Sequence, residues 1–117
     1  MAQKKLQRFA DIKTFPNVLE YPVAMKGQWH VFFKNNNPVV LELACGRGEY
    51  TVGLAKLFPK SNFIGIDIKG NRMYIGAKKC LSENISNAAF FFFFYEKLAN
   101  YFIPRVVVVI WILFPFH

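Results

Sequence analysis

Residues 38–49, Pro38-Val-Val-Leu-Glu-Leu-Ala-Cys-Gly-Arg-Gly-Glu49, hold the pattern on which the fold turns. A short run of apolar, β-forming residues, broken by the single acid Glu42, runs into Gly46 and Gly48, and a helical pattern follows through about Phe58. That is a strand, a glycine turn and a helix. Small residues at Ala44, Gly46 and Gly48 let a ligand approach the backbone, and the amides at the helix start face it. The next apolar run, Phe63-Ile-Gly-Ile-Asp-Ile68, reads as a second strand with Asp67 near its end, about 20 residues after the glycine turn. A carboxylate so placed accepts hydrogen bonds from both ribose hydroxyls of a nucleoside. Each feature alone has a plainer reading, the glycines as a tight turn and Asp67 as a cap for the helix near Asn71. The order strand, glycine turn, helix, strand, terminal acid favours the nucleoside pocket.

Downstream, Met73, Tyr74, Ala77, Cys80 and Leu81 fall at helical spacing between Asn71 and Glu83, with Arg72, Lys78, Lys79 and Glu83 on the other face. Ala88 to Tyr95 reads as a third strand despite five consecutive phenylalanines. Glu96 to Phe102 reads as a helical connector stopped by Pro104, and Val106 to Phe114 as a fourth, β-branched strand. Alternating strands and helices predict an α/β Rossmann-like parallel sheet of about four strands with right-handed crossovers. Upstream, Asn35-Asn-Asn-Pro38 punctuates the chain strongly. Ala2 to Lys13 is polar and basic with no sustained period. Residues 1–34 are therefore expected to be a basic N-terminal arm and lead-in segment, and residues 35–117 the α/β domain.

Fifteen Lys and Arg against seven Asp and Glu give a net charge of +8, which favours an anionic partner such as RNA or an acidic membrane surface. The surplus lies in the first three quarters of the chain. Cys45 and Cys80 are too far apart in sequence for a paired ligand motif, and only His30 and His117 supply imidazoles, so no metal site is expected. No secretory signal pattern precedes the cysteines, which points to a reducing, cytoplasmic setting. Val106 to Phe114, the longest uninterrupted apolar stretch, falls well short of the roughly 20 residues of a membrane span, and no membrane is expected as a partner.

The nature of the nucleoside follows from two positions. A dinucleotide fingerprint requires a third glycine where this chain has Thr51, which disfavours NAD. Glu42, four residues before Gly46, instead completes acid-x-small-x-Gly-x-Gly, the first-strand signature of class I methyltransferases. A carboxylate there attracts the cationic methionine end of S-adenosylmethionine and would repel a pyrophosphate.

Three blocks, Val39-Val-Leu-Glu-Leu-Ala-Cys-Gly-Arg-Gly-Glu-Tyr-Thr51, Phe63-Ile-Gly-Ile-Asp-Ile-Lys-Gly70 and Ile110-Trp-Ile-Leu-Phe-Pro115, resemble the tRNA guanine-N7 methyltransferases. The likeness runs from about Asn35 to Pro115, with a weaker echo from Phe15 to Phe33. It implies the N-terminal half of a class I methyltransferase fold, strand order 3-2-1-4, with S-adenosylmethionine as cofactor and tRNA as partner. It further implies that Glu42, Ala44 and Gly46 line the methionine side, that Asp67 and Lys69 meet the ribose and adenine side, and that Leu113 lies near the cofactor. Where the family presents polar residues to the adenine, this chain has Phe92, Phe93 and Phe94. Where the family follows Phe-Pro with an aspartate, a second proline and a basic stretch, this chain has Phe116 and His117. No catalytic residue is assigned on that basis, His117 included, and a catalytically incomplete methyltransferase is expected. Two other functions compete. One is a noncatalytic cofactor- or RNA-binding module using Lys4, Lys5, Arg8 and Lys13. The other is an inactive fragment that self-associates through an exposed fourth strand.

Overall fold

The computed structural model of the protein describes residues 2–20, 25–43 and 45–92. Helix α1 (Ala2–Ile12) is followed by strand β1 (Val18–Glu20), helix α2 (Trp29–Phe33), strand β2 (Val39–Leu43), helix α3 (Glu49–Leu57) and strand β3 (Asn62–Asp67). A 3-10 turn over Gly70–Met73 then continues into helix α4 (Tyr74–Ser82), and strand β4 (Ala88–Phe92) completes the series. The four strands form one parallel sheet in the order β1-β4-β3-β2, with Val40 opposite Phe63 and Gly65 opposite Phe90.

The chain thus adopts the α/β parallel architecture expected of it, and the first three expected strands lie side by side as 3-2-1. The fourth, over Val106 to Phe114, lies outside the described residues, as does the self-association expected of it. The order 3-2-1-4 needs one correction: the far edge, beside the third strand, carries β1, which the sequence reading left in the lead-in. With three residues between Pro16 and Pro22, β1 is too short to show a period. Its place comes from pairing, Val18 to Glu20 against Phe90 to Phe92.

Strand β4 shows why a run of phenylalanines can be a buried strand. Phe90 and Phe92 enter a core on one face with Ile12, Val52, Ala55, Met73, Ala77 and Cys80. Phe91 enters a second core on the other face with Trp29, Phe33, Leu41, Ile64 and Ile66. Successive side chains of a strand point to opposite faces, so helices on both sides turn an unbroken apolar run into two half-runs. Trp29 of the short helix α2 stacks on Phe91 with ring centroids 5.2 Å apart and planes 13° apart. Helices α1, α3 and α4 cover the opposite face.

The opening stretch, expected as an arm, is helical and packed. Phe9 lies 5.8 Å from the Phe92 ring and Ile12 is fully buried. Only these two positions point inward while Leu6 stays exposed, so the sequence shows less than two turns of period; tertiary burial, not propensity, fixes the helix. The end of α3 is held by a side chain from the approach to β4. Asn87 Nδ2 donates to the carbonyls of Ala55 (2.9 Å), in the last turn of the helix, and of Ser61 (2.9 Å) and Phe58 (3.3 Å) in the loop after it. Asn87→Ala is expected to lower stability by about 1–2 kcal/mol, read as a lower urea midpoint at unchanged m-value.

Candidate cofactor site

Parallel strands β2 and β3 end side by side, and the chain leaves β2 through a turn that stays tied to β3. Cys45 N donates to Ile66 O (2.9 Å), carrying the ladder past the end of β2. Gly46 and Gly48 both take left-handed backbone angles, φ +57° and +81°, which lets the chain reverse into α3 within three residues.

Asp67 is almost wholly buried at the end of β3. Its Oδ2 accepts from Gly46 N (2.9 Å) and its Oδ1 from Lys69 N (3.0 Å). The carboxylate therefore staples the glycine turn of one strand to the loop leaving the next. It forms no side-chain cap on the helix that follows, whose N-cap is Lys69. Each oxygen keeps a lone pair beyond the bond it accepts, enough for a further donor. The Lys69 side chain is exposed, so within the described residues its backbone is what reaches the site.

Glu42 points to the α3 side of the sheet, where Thr51 Oγ1 donates to its Oε1. Burial raises the Glu42 carboxyl pKa above the ordinary value, opposed by the bond from Thr51. The Cys45 thiol is pushed up by burial and then by the charges of Asp67 and Glu42, the direction that favours its protonated form. Two carboxylates at the ends of adjacent strands make the region receptive to a cation.

The two glycines differ. Among the described residues a Cβ on Gly46 would meet nothing within 4 Å, so on their side its face is open to a ligand. A Cβ on Gly48 would come 2.5 Å from Cε1 of Phe90, so its missing side chain is replaced by that ring. Phe90 also presses beside Gly65 and Gly76, and Gly76 N donates to Arg47 O (2.9 Å), fixing α4 against the turn.

The structure thus brings together Glu42, Gly46, Gly48, Asp67 and the Lys69 backbone. Ala44 and Leu113, also expected at the site, lie outside the described residues, as do Phe93 and Phe94. Thr51 and Phe90 are not among the residues that the sequence reading places around the turn. The signal for Thr51 was available: an acid inside an apolar strand needs a partner, and a hydroxyl early in the next helix can supply one. A groove of about 420 Å³ between α3 and α4, lined by Arg47, Lys56, Ile75 and Lys79 among others, includes none of Glu42, Gly46 and Asp67. Among the described residues no three His, Cys, Asp or Glu side chains converge as a metal would require, and no helix is long and apolar enough to cross a membrane.

Residues 36–116 match the model of a family described as "Putative methyltransferase". Among curated proteins, the tRNA (guanine-N(7)-)-methyltransferase of Bacteroides fragilis is 48% identical over 97% of this chain and 49% of its own length. That of Porphyromonas gingivalis is 52% identical over 89% of this chain and 47% of its own. The chain spans about half the length of the curated relatives it matches. Among solved structures, the 30S ribosomal A1408 methyltransferase from an uncultured bacterium is similar in fold, with a TM-score of 0.57 at 24% identity over 72% of this chain and 42% of that one. The family match takes in the glycine turn, the stapling Asp67 and three of the four strands of the sheet, and the chain belongs to this methyltransferase family.

Proposed function

We propose that this chain is the cofactor-binding part of a tRNA guanine-N7 methyltransferase, binding S-adenosylmethionine at the ends of β2 and β3. The observation that carries the reading is the convergence of Glu42, the open face of Gly46 and Asp67 on that one edge. In this reading Asp67 receives the ribose hydroxyls on its remaining lone pairs. Ala44, Gly46 and Gly48 form the close-approach turn, Glu42 attracts the cationic methionine end, and Lys69 borders the adenine. Leu113 is assigned a place near the cofactor from the family likeness alone.

S-adenosylmethionine, when bound, supplies a methyl group on a sulfonium; the lone pair of guanine N7 takes the methyl as the carbon–sulfur bond breaks and its electrons return to sulfur. The chain's part in this is to hold and orient, and a strong base is not required. Both cysteines are free, which suits a reducing cytoplasm.

Isothermal titration of the chain with S-adenosylmethionine tests the reading, with NAD as the control ligand. Saturable binding is expected for the wild type and none for NAD. Asp67→Asn is expected to weaken binding at least about tenfold, since a charged acceptor is exchanged for a neutral one. A folded sample that takes up no S-adenosylmethionine would sink the reading.

A further inference from the structure

We propose that α1 and the start of α4 form an RNA-docking surface centred on Tyr74, which holds the phosphate backbone of the RNA modified at the neighbouring site; the proposal rests on the functional reading above. The Arg8 guanidinium of α1 lies 5.2 Å from the centre of the Tyr74 ring, and Lys78 Nζ lies 5.5 Å from it while donating to the Tyr74 hydroxyl (3.3 Å). Phe15 lies against the same ring at 5.7 Å, and Lys13 Nζ sits 4.8 Å from the Phe9 ring. Cations from segments far apart in sequence thus collect around two aromatic rings.

Packing alone does not call for this arrangement. Phe9 and Ile12 already anchor α1, and a second cation near Tyr74 adds like-charge repulsion. Nor is the charge neutralised among the described residues. Among the described residues the ion pairs are Arg47 with Glu49 and Glu83 with Lys56 and Lys79, all away from α1. Asp11, the one acid on α1, accepts from Gln7 (2.8 Å). Among the described residues Arg8 and Lys78 therefore have aromatic partners and no carboxylate, as expected of groups that bind phosphate.

The patch also lies in the right place. Helix α1 packs on the 3-10 turn Gly70–Met73, which begins three residues after Asp67, and the exposed Lys69 and Arg72 continue the positive charge from Tyr74 towards the cofactor edge. A strand of phosphates lying along α1 and α4 would deliver a base to that edge. A membrane fits less well, because a helix lying on lipid needs an exposed apolar face, and α1 turns Phe9 and Ile12 inward and exposes only Leu6 among its large apolar residues.

The test is tRNA binding to the full 117-residue chain between about 50 and 200 mM salt, by fluorescence anisotropy with labelled transcript. Arg8→Gln/Lys78→Gln is expected to flatten the plot of log affinity against log salt by about 2, and to weaken binding at least about tenfold at low salt. Lys56→Gln/Lys79→Gln removes the same net charge from the α3–α4 face and is expected to leave the slope near the wild type. Should the double variant lose its fold by circular dichroism, Lys78→Gln alone, at an exposed position, is expected to lower the slope by about 1. Equal losses from both charge pairs, no tRNA binding by the wild type at low salt, or displacement of tRNA by phosphatidylserine vesicles would each overturn the proposal. S-adenosylmethionine titration separates it from the reading beneath it. A chain that fails to bind cofactor yet loses tRNA only through Arg8 and Lys78 keeps the surface and loses the cofactor-binding reading.

Discussion

Alanine at Gly48 is expected to cost the fold about 2–4 kcal/mol, whereas alanine at Gly46, two residues earlier, costs about 1–2 kcal/mol and strikes at ligand binding instead. Both glycines hold left-handed angles, so both substitutions carry backbone strain. Only at Gly48 does the new methyl also meet a wall, 2.5 Å from Cε1 of a fully buried Phe90. That ring cannot swing away, because it also fills the space beside Gly65 and Gly76. Urea titrations of the two variants should therefore separate widely. Combining Gly48→Ala with Phe90→Leu should restore part of the loss, because the smaller side chain makes room; the interaction energy from the double-mutant cycle is expected to be favourable by about 1 kcal/mol or more. Equal midpoints for Gly46→Ala and Gly48→Ala would mean that the ring does not wall in the turn.

The contrast between these glycines marks how far the sequence could be read. Both follow an apolar run and precede a helix, and nothing local distinguishes the one with no described neighbour within 4 Å from the one facing Phe90. Their difference arises from β4, some forty residues later in the chain, through a contact across the sheet. The same holds elsewhere. Strands β2, β3 and β4 and helices α3 and α4 are legible because long apolar runs are bounded by Gly, Asn and Pro. Strand β1 and helix α2 are not, being three and five residues long and held by pairing with β4 and by the stack of Trp29 on Phe91. At the site, Glu42, Gly46 and Asp67 declare themselves by type and order. What Asp67 does in the fold, stapling the turn of β2 to the exit of β3, needs the register of two strands, and the sequence does not contain it.

Glu42→Gln is expected to stabilise the empty protein while weakening S-adenosylmethionine binding by about 1.5–3 kcal/mol, the worth of a charge-assisted contact. The carboxyl is buried in β2 with Thr51 as its partner, and burial raises its pKa above the ordinary 4.5. For a group whose pKa is raised on folding, the associated stability is fully present below the unfolded pKa and is lost as pH rises through the folded one. The Glu42 contribution to stability is therefore lost as pH rises above the ordinary 4.5, a loss that the neutral amide at position 42 avoids. The gap between variant and wild type in urea midpoint should open over that range and then level off. A bound sulfonium or ammonium reverses the balance, because a cation beside the carboxyl favours its ionised form. Near and below the folded pKa, cofactor binding must then release a proton from Glu42, and the apparent binding enthalpy should change with the ionisation enthalpy of the buffer. Glu42→Gln should abolish that buffer dependence. If the dependence survives in the variant, the proton comes from another group and Glu42 does not face the cation; if the variant is instead less stable than the wild type at neutral pH, the strand tolerates the buried charge and desolvation is not what governs this position.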